Sequence, residues 1–157
     1  MVSPSKGLEK RIEMLRNFIY ANGLQEADAI IAKKRGLGVF DHFIIYMGKR
    51  YGQHTFIAND ASGGVKWFSE QEVIALIRDF KPVKVRSFKG NYYQRQNAID
   101  RAKGEIGKSY SLIDFNCEHL ANYVQYGLRE SKQVQNWKTG FGIAAGVLLT
   151  AFIFNDN

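Results

Sequence analysis

Three side chains carry groups that nucleophilic catalysis could use: the single cysteine, Cys117, and the histidines His42 and His54, twelve positions apart. A thiol is a nucleophile only as the thiolate. A helix N-terminus favours that form, because its free amides and positive dipole end face the sulfur. The residues after Cys117 have a helical pattern, with Leu120, Tyr123, Val124 and Leu128 along one side, and Asn116 is suited to cap that helix and hold Cys117 in place. A histidine within reach would serve as base in a Cys–His pair, with a second polar group fixing its tautomer. Residue types alone leave the bland reading open, since a lone helical cysteine packs a core more often than it reacts and strand histidines are commonly hydrogen-bonded structural groups. His42, His54, His119 and Cys117 lack a recognised ligand spacing, so no metal or other cofactor is expected.

The elements that must position these groups follow from periodicity. Leu8, Ile12, Leu15 and Ile19 form one face of an amphipathic helix that stops at Asn22-Gly23. Ala27 to Ala32 and Asp41 to Met47 read as strands, the second followed by the polar turn Gly48 to Gly52 and a return strand from Gln53 to Ala58, a hairpin. Asn59 to Gly64 reads as loop and Val65 to Phe68 as a further strand. Ser69 and Glu72 form a capping box, opening a helix expected to run to about Phe80 and to be closed by Pro82. A half-buried strand from Val83 to Phe88 and helices from Tyr92 to Ile106 and from Asn116 to Leu128 complete the order. If the hairpin loop is Lys49 to Tyr51, Tyr46 faces His54 and His42 lies roughly 13 Å farther along the strand.

The chain has 157 residues with a net charge of +7, which favours anionic partners such as nucleic acid or an anionic membrane surface. No nucleic-acid-binding motif accompanies the charge, so nucleic acid is not an expected partner. Lys33, Lys34, Arg35, Lys49 and Arg50 read either as a site for anionic headgroups or as solvated loops. One cysteine excludes an internal disulfide framework and a Cys-cluster zinc site. Charges at Lys6, Glu9, Lys10 and Arg11 break every apolar run at the start, which reads as cytoplasmic rather than as a secretory signal. Thr139 to Phe154 is uncharged. As a helix, its sixteen residues would span roughly 24 Å against a bilayer core of about 30 Å. With Trp137 and Lys138 flanking it and Gly142 and Gly146 at a small-residue spacing, it reads as a membrane anchor, the alternative being a buried C-terminal core helix.

The box Asn116-Cys117-Glu118-His119-Leu120 followed by Tyr126-Gly127, the strand His42-Phe43-Ile44-Ile45-Tyr46-Met47-Gly48 and the second histidine at His54 resemble the lecithin:retinol acyltransferase family. Its small HRAS-like suppressor branch, the phospholipase A/acyltransferases, is the most similar. Tyr110-Ser111-Leu112, Arg129, Ser131, Gln133 and Val134 also look like that family. The departures are Leu120 where an aromatic is usual, a helix ahead of the domain, and a short loop after His54.

The resemblance implies an α+β, circularly permuted papain-like (NlpC-like) fold, with an antiparallel sheet packed on helices. It implies Cys117 as nucleophile toward a glycerophospholipid ester, forming a thioester that passes to water or another acceptor, His42 as general base and then acid, and His54 orienting His42. Tyr46, on the His42 strand face, is either a site-lining or oxyanion group or ordinary sheet packing. The organisation expected is an N-terminal amphipathic helix (1–23), a catalytic domain (24–136) and an apolar C-terminal segment (137–157), membrane-associated with the catalytic domain on the cytoplasmic side. The competing functions are a papain-like amidase or peptidase using the same residues, and an inactive membrane-tethered binding module.

Overall fold

The computed structural model describes residues 6–34, 41–77, 80–136 and 138–139. The elements are α1 (Lys6–Ala21), β1 (Ala29–Lys34), β2 (His42–Arg50), β3 (Gln53–Asp60), β4 (Gly64–Ser69), α2 (Glu70–Leu76), β5 (Phe80–Arg86), α3 (Tyr92–Gly104) and α4 (Cys117–Tyr126). The strands form one antiparallel sheet in the order β4-β3-β2-β1-β5. The fold is α+β.

Side-chain alternation along β2 divides the core in two. Phe43, Ile45 and Met47 pack with Ile57 against Ala98, Ile99 and Ala102 of α3 and Leu120, Ala121 and Val124 of α4. Ile44 and Tyr46 pack with Phe56 and Phe68 against Leu15 and Ile19 of α1 and Val73 and Ile74 of α2. The central strand is buried on both faces, which is why its sequence is a nearly continuous apolar run rather than an alternating one. Apolar faces set these layers, while polar caps set the helix ends: the Ser69–Glu72 box opens α2, and Gly127, at φ 73°, ends α4 in the left-handed region.

Two local expectations are corrected. The helix after Ser69 stops at Leu76, and Pro82 lies inside β5 instead of closing the helix. β5 is an edge strand, and Pro82 stands opposite Ala32 where the β1–β5 register shifts, a place where a missing N–H costs little. The β2–β3 hairpin is longer than expected: pairing continues to Arg50↔Gln53, and the turn is Tyr51-Gly52, with φ of 51° and 79°. Positive φ at both central residues is the turn whose twist matches that of the strands. The register shifts between Tyr46 and Lys49, around Gly48 at φ 79°. A Cβ there would lie 2.6 Å from Glu26 Oε1, so glycine permits both the bulge and the close approach.

Candidate active site

The first turn of α4 is built from its own sequence. Asn116 is the N-cap: its Oδ1 accepts from the N–H groups of Glu118 (2.9 Å) and His119 (3.1 Å), and its Nδ2 donates to the Leu112 carbonyl (2.9 Å). His119 closes the box by accepting the Asn116 N–H at Nδ1 (3.2 Å), and burial lowers its pKa. It is thus a neutral structural acceptor beside the thiol. Cys117 is the first helical residue and is buried.

The Cys117 thiol donates to the Asp41 carbonyl at 3.3 Å, and the Phe43 N–H is turned toward the sulfur. These groups belong to the residues on either side of His42, the half-buried first residue of β2. Tyr46 exchanges main-chain hydrogen bonds with Ala27 and Asp28, on the β1 side. Peptide groups alternate along a strand, so those of the odd-numbered residues of β2 face β3, and Sγ meets β2 along that side. Burial pushes the thiol up to about 11, outweighing the amides of Phe43, Cys117 and Glu118 that favour the thiolate. The helix N-terminus is present, yet desolvation keeps the resting sulfur protonated.

His54 stands elsewhere. It is buried opposite Lys49, seven residues along β2 from His42, on the order of 20 Å at about 3.3 Å per residue. Its Nδ1 shares a 2.7 Å hydrogen bond with the Tyr46 hydroxyl, and its ring lies 5.6 Å from those of Tyr46 and Tyr20. Its main-chain N–H donates to Glu70 (3.2 Å), whose carboxylate Arg16 grips with two hydrogen bonds of 2.9 and 2.7 Å. Burial lowers the His54 pKa and raises that of Tyr46 to about 12, so both are neutral at physiological pH. The structure brings Cys117 to the His42 end of β2 and does not bring His54 there. Tyr46 also lies on the α1 side of the sheet, in the cluster opposite that of Cys117. A cleft of about 430 Å³ beside His54, lined by Arg50, Gln53, Thr55 and Trp67, opens at the hairpin end.

Other groups at the thiol end carry weaker sequence signals. Glu118 accepts from the Ser131 hydroxyl and the Gln133 N–H, and Gln133 Oε1 accepts the Asp41 N–H. Residues 131–133 thereby join the helix that carries Cys117 to the strand that carries His42. Asn59, placed in a loop by its Asn-Asp sequence, is a buried residue of β3 whose Nδ2 donates to the Phe115 carbonyl at 2.7 Å. Of the basic groups, Lys49 donates to the Tyr20 hydroxyl (2.5 Å) and Arg50 stacks 4.4 Å over Trp67. Arg35 lies outside the described residues, as does nearly all of the apolar stretch expected as an anchor. No helix among the described residues is long and apolar enough to cross a membrane.

Residues 24–130 match the family model of lecithin retinol acyltransferase. The chain belongs to that family. The lecithin retinol acyltransferase region contains the whole sheet, α2 to α4 and the Cys117 box, and it begins after α1. Human "Phospholipase A and acyltransferase 2" is 28% identical over 127 residues, covering 71% of this chain and 78% of that protein. Human "Phospholipase A and acyltransferase 4" is 25% identical over 133 residues, covering 71% and 79%. Rat "Phospholipase A and acyltransferase 5" is 42% identical over a shorter 57-residue stretch, 35% of this chain and 20% of that protein.

Proposed function

We propose that this family member is a thiol-dependent phospholipase A and acyltransferase, with Cys117 as nucleophile and His42 as general base and then general acid. The observation that carries the reading is the seat of the Cys117 sulfur, at the N-terminus of α4 and against the main chain on both sides of His42. The names of the human relatives supply the reaction class.

A thiol pushed up to about 11 is not a standing thiolate, so its proton must leave as the sulfur attacks. The proton passes from Sγ to the His42 imidazole, and the sulfur adds to the ester carbonyl of a glycerophospholipid. The tetrahedral intermediate expels the lysophospholipid oxygen, which takes the proton back from His42, and the acyl group stays on Cys117 as a thioester. Water, or an amine, alcohol or lysophospholipid, then adds to the thioester with His42 again taking the proton. The thiolate leaves and is reprotonated. Every step needs only the Cys–His pair and a bound acyl donor, which supports the reading without a cofactor.

The wider reading is a papain-like core in circularly permuted order, with the strand histidine ahead of the helix cysteine, preceded by a helical segment (1–23) and followed by an apolar stretch (137–157) that holds the enzyme at its lipid substrate. An amphiphile must be met at its interface, and the net charge of +7 suits an anionic surface. Truncation after Trp137 is expected to leave a folded domain with reduced vesicle binding, measured by co-sedimentation; unchanged binding removes the anchor.

The test of the chemistry is intact-protein mass spectrometry after incubation with phosphatidylcholine vesicles, on wild type, Cys117→Ser and His42→Ala. The expected result is a fatty-acyl increment that hydroxylamine removes and that neither variant shows. The deep burial of the thiol favours a second reading, an inactive binding module. A folded protein with neither adduct nor released fatty acid, and with a thiol inert to alkylation, would establish that module instead. A reactive thiol without acyl transfer would point to an amidase.

A further inference from the structure

Gln133 is gripped from both sides of the thiol. Its main-chain N–H donates to Glu118 Oε2 at 3.0 Å, on the residue after the nucleophile, and its side-chain Oε1 accepts the N–H of Asp41. The carbonyl of the same Asp41 accepts the Cys117 thiol, 3.3 Å from Sγ. The N–H and C=O of one residue are separated only by its Cα, so Asp41 seats the sulfur and the glutamine amide as neighbours just ahead of β2. Nε2, the other end of that amide, is bonded to the same carbon as Oε1. It is buried and donates to no acceptor among the described residues. Exchanging nitrogen and oxygen gives no relief, because it would set an NH2 donor against the Asp41 N–H. A native protein seldom keeps a buried donor unsatisfied, and one held from two sides beside a nucleophile calls for an explanation.

We propose that Gln133 is a catalytic residue of the acyl transfer: Nε2 donates to the oxyanion of the tetrahedral intermediate formed on Cys117. This deepens the proposed function and rests on Cys117 being the nucleophile. As the sulfur adds to the ester carbonyl, its electron pair becomes the S–C bond and the carbonyl π pair moves onto oxygen. The negative charge thus leaves the sulfur, which the amides of Phe43, Cys117 and Glu118 favour, and arrives on an atom two bonds away. There Nε2 is the donor without a partner. When the intermediate collapses, the pair returns to re-form C=O, the lysophospholipid oxygen leaves with the proton from His42, and the hydrogen bond to Nε2 is released. The Glu118 and Asp41 anchors orient the donor before the charge appears, the condition under which such a hydrogen bond is worth most. An ester that reaches the buried thiol reaches Nε2 with it.

The test is phosphatidylcholine hydrolysis on vesicles by the full chain, measured beside Cys117 alkylation by iodoacetamide at the same pH, for wild type, Gln133→Ala and Gln133→Glu, with melting temperatures as a fold control. Alkylation displaces iodide and builds no oxyanion, so the ratio of the two rates cancels a change in thiolate population. Gln133→Glu keeps an oxygen for the Asp41 N–H and replaces the donor by a carboxylate. Both variants are expected to lower that ratio about a hundredfold or more, through kcat rather than KM, the scale for one oxyanion donor. A ratio in Gln133→Glu within about threefold of wild type would make Gln133 a tie between Asp41 and Glu118 only, and overturn the proposal. If one variant does not fold, the other decides by the same ratio. Cys117→Ser and His42→Ala separate the two levels. A wild type that forms no thioester, or whose hydrolysis survives both substitutions, brings down the mechanism and this role with it. A Cys117-dependent wild type beside a fully active Gln133→Glu removes this inference alone.

Discussion

The Tyr46 hydroxyl and His54 Nδ1 share a 2.7 Å hydrogen bond beneath α1, on the side of the sheet away from the Cys117 cluster. The pair is a polar fixture of the core rather than part of the thiol centre. His54→Gln is expected to keep kcat within about twofold of wild type while lowering stability by about 1–2 kcal/mol, the scale of one buried hydrogen bond with imperfect replacement. Steady-state hydrolysis and urea melts of the same preparation decide it. A loss of kcat of about a hundredfold in a protein of normal stability would return His54 to the catalytic machinery.

Acid sensitivity follows from the same burial. The folded protein holds His54 and His119 below their ordinary value of 6.5, chiefly through desolvation, so between that value and the folded one the unfolded chain binds more protons. Their stabilisation is present above 6.5 and is lost as pH falls through the folded values. Burial pushes Glu70 up, but the Arg16 hydrogen bonds and the His54 N–H bring it below 4.5, giving a second loss of the same sign at lower pH. Melting temperature should therefore fall in two stages on acidification. His54→Gln should flatten the first and leave the second, and an unchanged first stage would assign it to His119 alone.

The sequence makes some of this architecture plain and hides the rest for physical reasons. The Asn116 cap and the Ser69–Glu72 box are legible because capping uses residue types at fixed short spacings. The hairpin is legible too, but its register is not. Tyr51-Gly52 and a bulge at Gly48 together move His54 three positions along β2 relative to the loop read from Lys49 to Tyr51. A twelve-position spacing of two histidines therefore does not fix a distance across a hairpin, since each added turn residue shifts every cross-strand partner. Asn59 is hidden by its type: Asn-Asp marks a turn in most contexts, and it is the pairing with Val65 of β4 that makes it a strand residue and the Phe115 carbonyl, 56 positions away, that takes its side chain. The resemblance supplies the thiol box and the His42 strand, while the buried polar contacts around them are a matter of tertiary placement.

Gln133 ties the Asp41 N–H to the Glu118 side of the thiol end, so it sets how firmly the Asp41 carbonyl faces Sγ. Gln133→Ala should loosen that seat and expose the sulfur. Labelling of Cys117 by iodoacetamide at pH 8 is expected to quicken about threefold to tenfold, in keeping with reactivity that follows thiolate population and access, with little change in melting temperature. Glu118→Ala removes the acceptor of both Ser131 and the Gln133 N–H and should do the same at a greater cost, about 1–3 kcal/mol, because it strands buried donors. Equal labelling rates in wild type and Gln133→Ala would mean that the thiol is held by α4 alone.

The helix α1 precedes the family-matched region, yet it is joined to the sheet by polar as well as apolar contacts. Arg16 grips Glu70 of α2, Arg11 donates to the Ile74 carbonyl (3.0 Å), and Leu15 and Ile19 pack over Ile44, Phe56 and Phe68. Glu70 also receives the His54 N–H, so Arg16→Ala would leave a carboxylate side chain that is only 5% exposed with one remaining donor. Arg16 itself is 43% exposed, and the expected cost is accordingly about 1–3 kcal/mol, below that of breaking a fully buried pair. Arg16→Ala with Glu70→Gln should recover part of that loss, because the glutamine needs no counter-ion. Deleting residues 1–23 should do far more, since it uncovers the apolar face of a strand buried on both sides, and the product is expected to bind a hydrophobic dye or precipitate. Urea titrations of the point variants and dye binding by the truncated chain test the two claims separately. A truncated protein that stays monomeric, dye-silent and as stable as wild type would show that α1 is not part of the folded core.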